Sequence, residues 1–115
     1  VLDGGEGNDI FRFAAPLGPG NVDTIVSLVI GQDVLRLEDD IFTALGGSGF
    51  LAASRFVSAA GPVSALDGDD RILFNSASGA LFYDSDGNGA ASAVHFATIS
   101  SIIGGALTAA DFQIA

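Results

Sequence analysis

The most chemically distinctive stretch of the chain is an acidic loop at residues 84–89, where Asp84, Asp86 and Asn88 alternate with one serine and two glycines. This spacing lets three side-chain oxygens converge, and glycine permits the positive φ angles that a tight ion-binding loop requires. Oxygen ligands are those that Ca²⁺ prefers. The loop therefore predicts calcium ligands at Asp84, Asp86 and Asn88, with an ordinary Asp/Asn/Gly turn between two strands as the alternative.

The loop does not fit the EF-hand template. Asp84, Asp86 and Asn88 would occupy its first, third and fifth positions, but His95 stands where the template needs a bidentate glutamate. The flanking segments also have the alternation of strands, whereas an EF-hand needs helices. Calcium at this loop is therefore expected in a β context.

The composition limits the classes of function. The chain has 115 residues, of which 49% are hydrophobic, and its 14 acidic and 4 basic side chains give a formal net charge of -10. This size predicts one domain with a modest core. The charge argues against nucleic acid and anionic membranes as partners and favours cations. The chain has no cysteine and no apolar run of the roughly 18 residues that would span a bilayer.

A second motif, GGEGNDIF, occupies residues 4–11. It matches a calcium-binding nonapeptide repeat in which glycines form the turn, an aspartate supplies a carboxylate and an apolar residue begins a short strand. On these residues the chain resembles the RTX (repeats-in-toxin) family, the secreted calcium-binding β-roll proteins of Gram-negative bacteria. The resemblance implies calcium ligands at Gly5, Gly7 and Asp9. A glycine-rich hairpin turn is the alternative.

One such repeat supplies only half of a calcium site, because in RTX proteins each ion lies between the turns of two coils. Upstream repeats or a local carboxylate would have to complete the shell, and Glu6, Asp23 and Asp33 are the local candidates. We therefore expect this half site to bind calcium weakly, or to be empty, in the isolated chain.

The next segment is similar to the one that follows the last repeat in serralysin-type C-terminal domains. The positions that fit that pattern are Asp23, Ile25, Gly31, Asp33, Leu35 and Leu37. Ser27 and Leu28 depart from it, since the pattern has Asp and Phe there. The β-branched residues of 22–30 and the run at residues 34–37 predict a pair of strands joined by a turn at residues 31–33.

Two short helices are expected in the middle of the chain. The acids at residues 38–40 suit the start of a helical turn over residues 41–45, which the glycines at 46 and 47 would end. Residues 51–57 predict a second short helix or a helix passing into a strand. The acidic tract at 66–70 is interpreted as a solvated loop, with a degenerate repeat turn as the alternative.

Residues 71–99 have the most regular pattern, which predicts three antiparallel strands joined by tight turns. Phe74, Phe82 and Phe96 are expected to supply the large apolar area of the core. His95 should lie on the opposite face from Phe96, where it is exposed or partly covered.

The tail, LTAADFQIA at residues 107–115, predicts one helical turn capped by Thr108 and then a last strand carrying Phe112 and Ile114. An acid and a Phe followed by apolar residues resemble the uncleaved signal of type I secretion. Deletion of residues 111–115 is therefore expected to abolish export at little cost in stability.

These observations predict an all-β chain: the last coil of a parallel β-roll leading into a small antiparallel sheet or sandwich with one or two short helices. A single domain spans residues 1–115, with 1–13 as the repeat and 14–115 as the capping and secretion part. Val1 to Asp9 lacks the basic start of a signal peptide, so we expect the end of a longer protein.

The resemblance implies a non-catalytic, calcium-binding module of a secreted, extracellular protein. Its partners would be Ca²⁺, the upstream repeats and the type I secretion apparatus. The alternative is an extracellular structural module that self-associates strand to strand into a filament or surface layer. Catalysis as a hydrolase or toxin is expected only upstream, and the tail does not identify it.

Overall fold

The computed structural model describes residues 9–13, 22–39, 41–42, 49–51, 53–61, 70–84 and 93–114. Short β-strands dominate this part of the chain, which confirms the all-β prediction. The strands are β1 (Ile10–Phe13), β2 (Asp23–Ile25), β3 (Leu28–Val29), β4 (Val34–Leu37), β5 (Gly49–Phe50), β6 (Phe56–Ala59), β7 (Ile72–Asn75), β8 (Ala80–Tyr83), β9 (Val94–Ile99), β10 (Ile102–Ile103) and β11 (Phe112–Ile114).

One sheet has the strand order β1-β4-β11-β5. Strands β1, β4 and β11 are parallel to one another, and β5 runs antiparallel to β11. Residues in register therefore stack in rows across the sheet, and the row Phe11, Leu35 and Phe112 is buried. The alternation of apolar and polar residues along each strand places every second side chain in the core and the others on an outer face.

A second sheet has the order β2-β9-β8-β7-β6, and β3 and β10 form a separate parallel pair. Strands β7, β8 and β9 are antiparallel, as the pattern of residues 71–99 predicted. Asn75 fixes the turn between β7 and β8, because its side-chain oxygen accepts hydrogen bonds from the amides of Ala77 and Ser78 at 3.0 and 3.2 Å. Strands β2 and β6 join this sheet in parallel.

Aromatic contacts join the inner faces of the two large sheets into one core. Phe13 of β1 meets Phe96 of β9 edge to face, with ring centroids 5.4 Å apart. Phe56 of β6 packs against Phe112 of β11 at 5.5 Å. Phe42, which follows β4, is 1% exposed and contacts Phe96 at 5.1 Å. Each such ring contributes roughly 1.5–3 kcal/mol by burial.

The prediction of a pair of strands at residues 22–30 and 34–37 is wrong in its pairing. The turn lies where it was expected, but β2 pairs with β9, β3 with β10, and β4 with β1 and β11. The reason is burial: Ile25, Leu28 and Leu35 are all 0% exposed. Strands that paired only with each other would have left one side of this apolar segment without partners.

The expected small antiparallel sheet is mixed instead, because parallel strands from distant parts of the chain flank the antiparallel centre. Phe74 and Phe96 lie in the core at 2% exposure, as predicted. Phe82 is only half-buried, because it follows Leu81 by one residue and therefore lies on the outer face of β8.

The predicted helical turns are short. A 3-10 helix at Ala53–Arg55 passes directly into β6, and another at Ala109–Asp111 passes into β11 after Thr108, both as expected. The amides of Ile41 and Phe42 donate to the carbonyl of Glu38, which begins a turn at the expected place. Residues 43–45 of that prediction lie outside the described residues. Within the described ranges, no helix is long and apolar enough to span a membrane.

Candidate calcium site

Asp9 and Asp33 meet at the beginning of β1. The backbone amide of Asp9 donates to Asp33 Oδ1 at 3.1 Å, and the amide of Val34 donates to the Asp9 carbonyl at 2.9 Å. Asp33 directly precedes β4 and Asp9 directly precedes β1, so the parallel ladder brings the two aspartates to the same end of the sheet. We call these two residues the Asp9–Asp33 pair.

The turn between β3 and β4 positions Asp33. The amides of Gln32 and Asp33 both donate to the Val29 carbonyl, and Gly31 has a φ of 86°, a backbone angle that favours glycine. Asp33 Oδ2 accepts from the Val29 amide at 2.9 Å. Asp33, at 3% exposure, thus holds the β3–β4 turn and the start of β1 together.

Asp9, the other member of the Asp9–Asp33 pair, has a side-chain oxygen without a hydrogen-bond partner. Asp9 Oδ2 is buried and has no hydrogen-bond partner. The ion pairs within the described residues join Arg12 and Arg36 to Glu38, and neither aspartate takes part in them. A buried carboxylate oxygen without a donor or counter-ion is costly, and the Asp33 carboxylate, which accepts from the Asp9 amide, adds a second negative charge to this end of the sheet. A bound cation would relieve both, and a hard divalent ion suits these oxygen ligands.

Of the three carboxylates that could complete the half site at Asp9, the structure brings Asp33 to it. Asp23 lies in β2, in the other large sheet, and Glu6 lies outside the described residues. The glycines Gly5 and Gly7 also lie outside them. In the described part of the chain, no group of three or more His, Cys, Asp or Glu side chains could hold a metal ion. The pair alone supplies fewer side-chain oxygen ligands than the roughly six to eight that calcium takes.

The acidic loop that follows β8 is described only at its first member. Asp84 is 5% exposed, and its amide donates to the carbonyl of Arg71 at 2.8 Å. Continuing the register of β7 and β8 places Arg71 opposite Asp84 on the neighbouring strand. Asp86 and Asn88 lie outside the described residues, so convergence of the three predicted ligands stays a prediction.

Asp70 is a buried acid that the sequence interpretation placed in a solvated loop. It is 4% exposed, and its carbonyl accepts a hydrogen bond from Arg71 Nη1 at 3.3 Å. The signal for its burial was its position immediately before β7, where a strand enters the core. Asp70 and Asp84 therefore lie at the same end of the β7–β8 hairpin.

His95 lies on the outer face of β9 and is half-buried, as predicted. Its ring packs against Phe82 at a centroid distance of 5.1 Å, and Nε2 lies 2.9 Å from both the Ala97 carbonyl and Thr98 Oγ1. A register shift between Leu81 and Phe82 marks a bulge in β9, and Phe96 and Ala97 are both buried there. These contacts give His95 a structural role.

Comparisons with protein-family models, with curated proteins and with solved structures find no match to this chain.

Proposed function

We propose that this chain is a non-catalytic calcium-binding module at the C-terminal end of a larger exported protein, where it caps a β-roll and couples folding to calcium. The RTX resemblance of residues 4–11 suggests the class of protein. The observation that carries the proposal is that Asp9 Oδ2 is buried without a hydrogen-bond partner in a residue whose amide donates to the Asp33 carboxylate.

A calcium ion bound at the Asp9–Asp33 pair would stabilise the start of the parallel ladder. Asp9 and Asp33 would each contribute carboxylate oxygen, and the resemblance of residues 4–11 implies that Gly5 and Gly7 would contribute backbone carbonyls. The ion would neutralise the two carboxylates and fix the start of the parallel ladder. Because the pair forms only when β1 and β4 are in register, binding energy at this site is folding energy.

The open edge of β1 supports the capping role. Within the described residues β1 pairs only with β4, so its other edge has backbone groups available to a further strand. The last coil of an upstream roll would add there in parallel, continuing the β1-β4-β11 ladder. The sheet would then end at β5, whose antiparallel direction breaks the repeat.

A calcium titration of purified protein tests the site. Asp9→Asn keeps the size of the side chain but removes its charge, so calcium affinity should fall about tenfold or more, and most of the calcium-dependent rise in Tm should disappear. Stability with chelator should be unchanged or slightly higher, because the repulsion from Asp33 is relieved. Asp39→Asn is the matched control, since Asp39 is exposed. Equal calcium affinity in both variants would exclude the Asp9–Asp33 pair.

The same titration tests the acidic loop at residues 84–89. If the loop binds calcium, Asp86→Ala should lower the calcium stoichiometry by one ion. If it is only a turn, the substitution should cost no more than about 1 kcal/mol, equally with calcium and with chelator. The two sites are thereby separated, because each substitution reports on its own ion.

We also propose export through a type I secretion apparatus, with residues 107–115 as the uncleaved signal and the extracellular space as the destination. The low calcium of a cytosol would leave the acidic chain looser for transport, and the millimolar calcium outside cells would favour the folded state. The upstream repeats and the secretion apparatus are the partners that this function requires.

The open edge of β1 also supports the alternative function, an extracellular module that assembles strand to strand. Concentration-dependent sedimentation, and fibres in electron micrographs, would favour assembly. A sedimentation coefficient that stays monomeric across concentrations, with calcium and with chelator, would favour the capping module.

A further inference from the structure

The outer face of the β1-β4-β11-β5 sheet combines positive charge with exposed apolar side chains. It is formed by Ile10, Arg12, Val34, Arg36, Gln113 and Phe50, the residues of these strands that point away from the core. We call it the arginine face. Ile10 and Phe50 are 59% and 65% exposed, the two highest values among the large hydrophobic residues of the described part of the chain.

The charge of this face is opposite to that of the molecule. The chain has four basic residues and a formal net charge of -10, yet two of its arginines lie side by side on neighbouring strands. Two like charges directly opposite each other destabilise a sheet, so their pairing has an energetic cost. A face that keeps such a pair is suited to binding a negative group.

Glu38 forms ion pairs with both arginines but hydrogen-bonds only Arg12, and its single negative charge offsets one of their two positive charges. Its Oε1 accepts from Arg12 Nε at 2.6 Å and also pairs with Arg12 Nη2. Arg36 Nε lies 3.7 Å from Glu38 Oε2, too far for a hydrogen bond, and both atoms are buried without a hydrogen-bond partner. The Arg36 side chain is 41% exposed. Its guanidinium can therefore take an additional carboxylate in a two-pronged hydrogen bond.

The register arranges the face in a row. Arg12, Arg36, Gln113 and Phe50 follow one another across the four strands, each directly opposite the next. Strands are spaced roughly 4.8 Å apart, so the row is about 14 Å long from Arg12 to Phe50. An extended peptide advances roughly 3.3 Å per residue, so about three or four residues separate groups that contact an arginine and Phe50.

We propose that the arginine face binds an extended acidic segment of a partner protein, with a carboxylate on Arg36 and an apolar side chain on Phe50. Charge complementarity selects the acid. The exposed Ile10 and the neighbouring Val34 offer further apolar contact to the side chains of a bound peptide. The amide of Gln113, between Arg36 and Phe50, is placed to hydrogen-bond the backbone of the bound segment.

Selection from a random peptide library on the purified, immobilised chain tests this proposal. The enriched peptides should carry Asp or Glu three or four positions from an aromatic or aliphatic residue. One enriched peptide, labelled with a fluorophore, is then titrated with each variant. Arg36→Glu should weaken its binding by about tenfold or more, and higher salt should also weaken it. Phe50→Ser should weaken it by a similar factor.

The control variants make the same two kinds of substitution, a charge reversal and an apolar residue to serine, outside the arginine face. Arg55→Glu reverses a charge in the 3-10 helix before β6, and Ile103→Ser removes an exposed apolar side chain from β10. Both should leave binding of the peptide unchanged. Thermal melts of all four variants verify that the fold is kept, and all peptide titrations are made at the same calcium concentration, so that calcium-dependent folding does not contribute to the differences.

Three outcomes would overturn the proposal. Enrichment of no peptides, or of peptides without acidic residues, would exclude an acidic segment as the occupant. Equal binding to wild type and Arg36→Glu would place the peptide elsewhere. Wild-type oligomers that Arg36→Glu dissociates in sedimentation would show that the face contacts a second copy of this chain.

Discussion

Gly79 lies where the turn between β7 and β8 passes against β9. Its φ is 81°, and the Ile99 amide donates to its carbonyl at 2.8 Å. A Cβ at this position would lie 2.1 Å from the Ile99 carbonyl oxygen, which is backbone and cannot move away easily. Glycine is therefore required twice here, once by the dihedral angle and once by the close approach of the neighbouring strand.

Gly79→Ala should lower the free energy of unfolding by about 2–5 kcal/mol, the sum of a left-handed alanine and an overpacked contact. Gly31→Ala is the matched control, because Gly31 has nearly the same φ, 86°, but no atom within 4 Å of the added Cβ. It should cost only about 1–2 kcal/mol. Urea unfolding of both variants measures the difference, and equal losses would mean that β9 moves aside without cost.

At the scale of elements, β11 has a larger role than its length suggests. It lies between β4 and β5 in its sheet, and the Leu51 amide donates to its Phe112 carbonyl. Phe112 is 0% exposed and Ile114 3%. The 3-10 helix before it is capped by Asp111, whose Oδ2 accepts from the Thr108 amide at 2.9 Å. The expectation that residues 111–115 can be deleted at little cost in stability is therefore wrong, because Phe112–Ile114 form an interior strand.

Phe112→Ala should destabilise the protein by about 3–5 kcal/mol, a large part of the stability of a domain of this size. Gln113→Ala, one residue along and on the outer face, should change stability by less than about 1 kcal/mol. Thermal and urea unfolding of the two variants provides the comparison. Similar losses would indicate that β11 does not pack against the core.

The export signal should be tested with substitutions on the outer face, such as Gln113→Ala, because deletion of the tail would also remove a core strand.

Patterns among neighbouring residues were sufficient to predict some strands and their partners, and insufficient to predict the partners of others. The antiparallel β7, β8 and β9 follow one another through short turns, so alternation and turn residues predicted them, as the cap at Thr108 predicted the turn before β11. Parallel pairing has no short turn to mark it. The partners of β2 and β4 therefore could not be identified from neighbouring residues.

Contacts between residues distant in sequence also limited the prediction of the candidate calcium site. Asp9 was identified from its repeat motif, but Asp33 was only one of three possible partners, because the contact between them spans 24 positions. The burial of Asp70 was missed for a related reason: an acidic tract normally faces water, and only the packing of β7 brings its last member inside.

For the whole molecule, the net charge of -10 predicts a strong response to ions. Sodium chloride should raise Tm modestly by screening repulsion among carboxylates. Calcium at matched ionic strength should raise it further, because binding to the folded state adds to screening. Magnesium is the control, since it has the same charge but demands a smaller octahedral site. Equal shifts with calcium, magnesium and sodium at one ionic strength would mean that screening alone operates.

The parallel ladder also determines when this protein can fold. Its three strands are contributed by residues 10–13, 34–37 and 112–114, and the last of them occupies an interior position in the sheet. During synthesis the ribosome would therefore release nearly the whole domain before β4 and β5 gain the strand that joins them. Contacts between such distant residues slow folding. We infer that this sheet remains open until β11 emerges from the ribosome and that it then closes in a single late step.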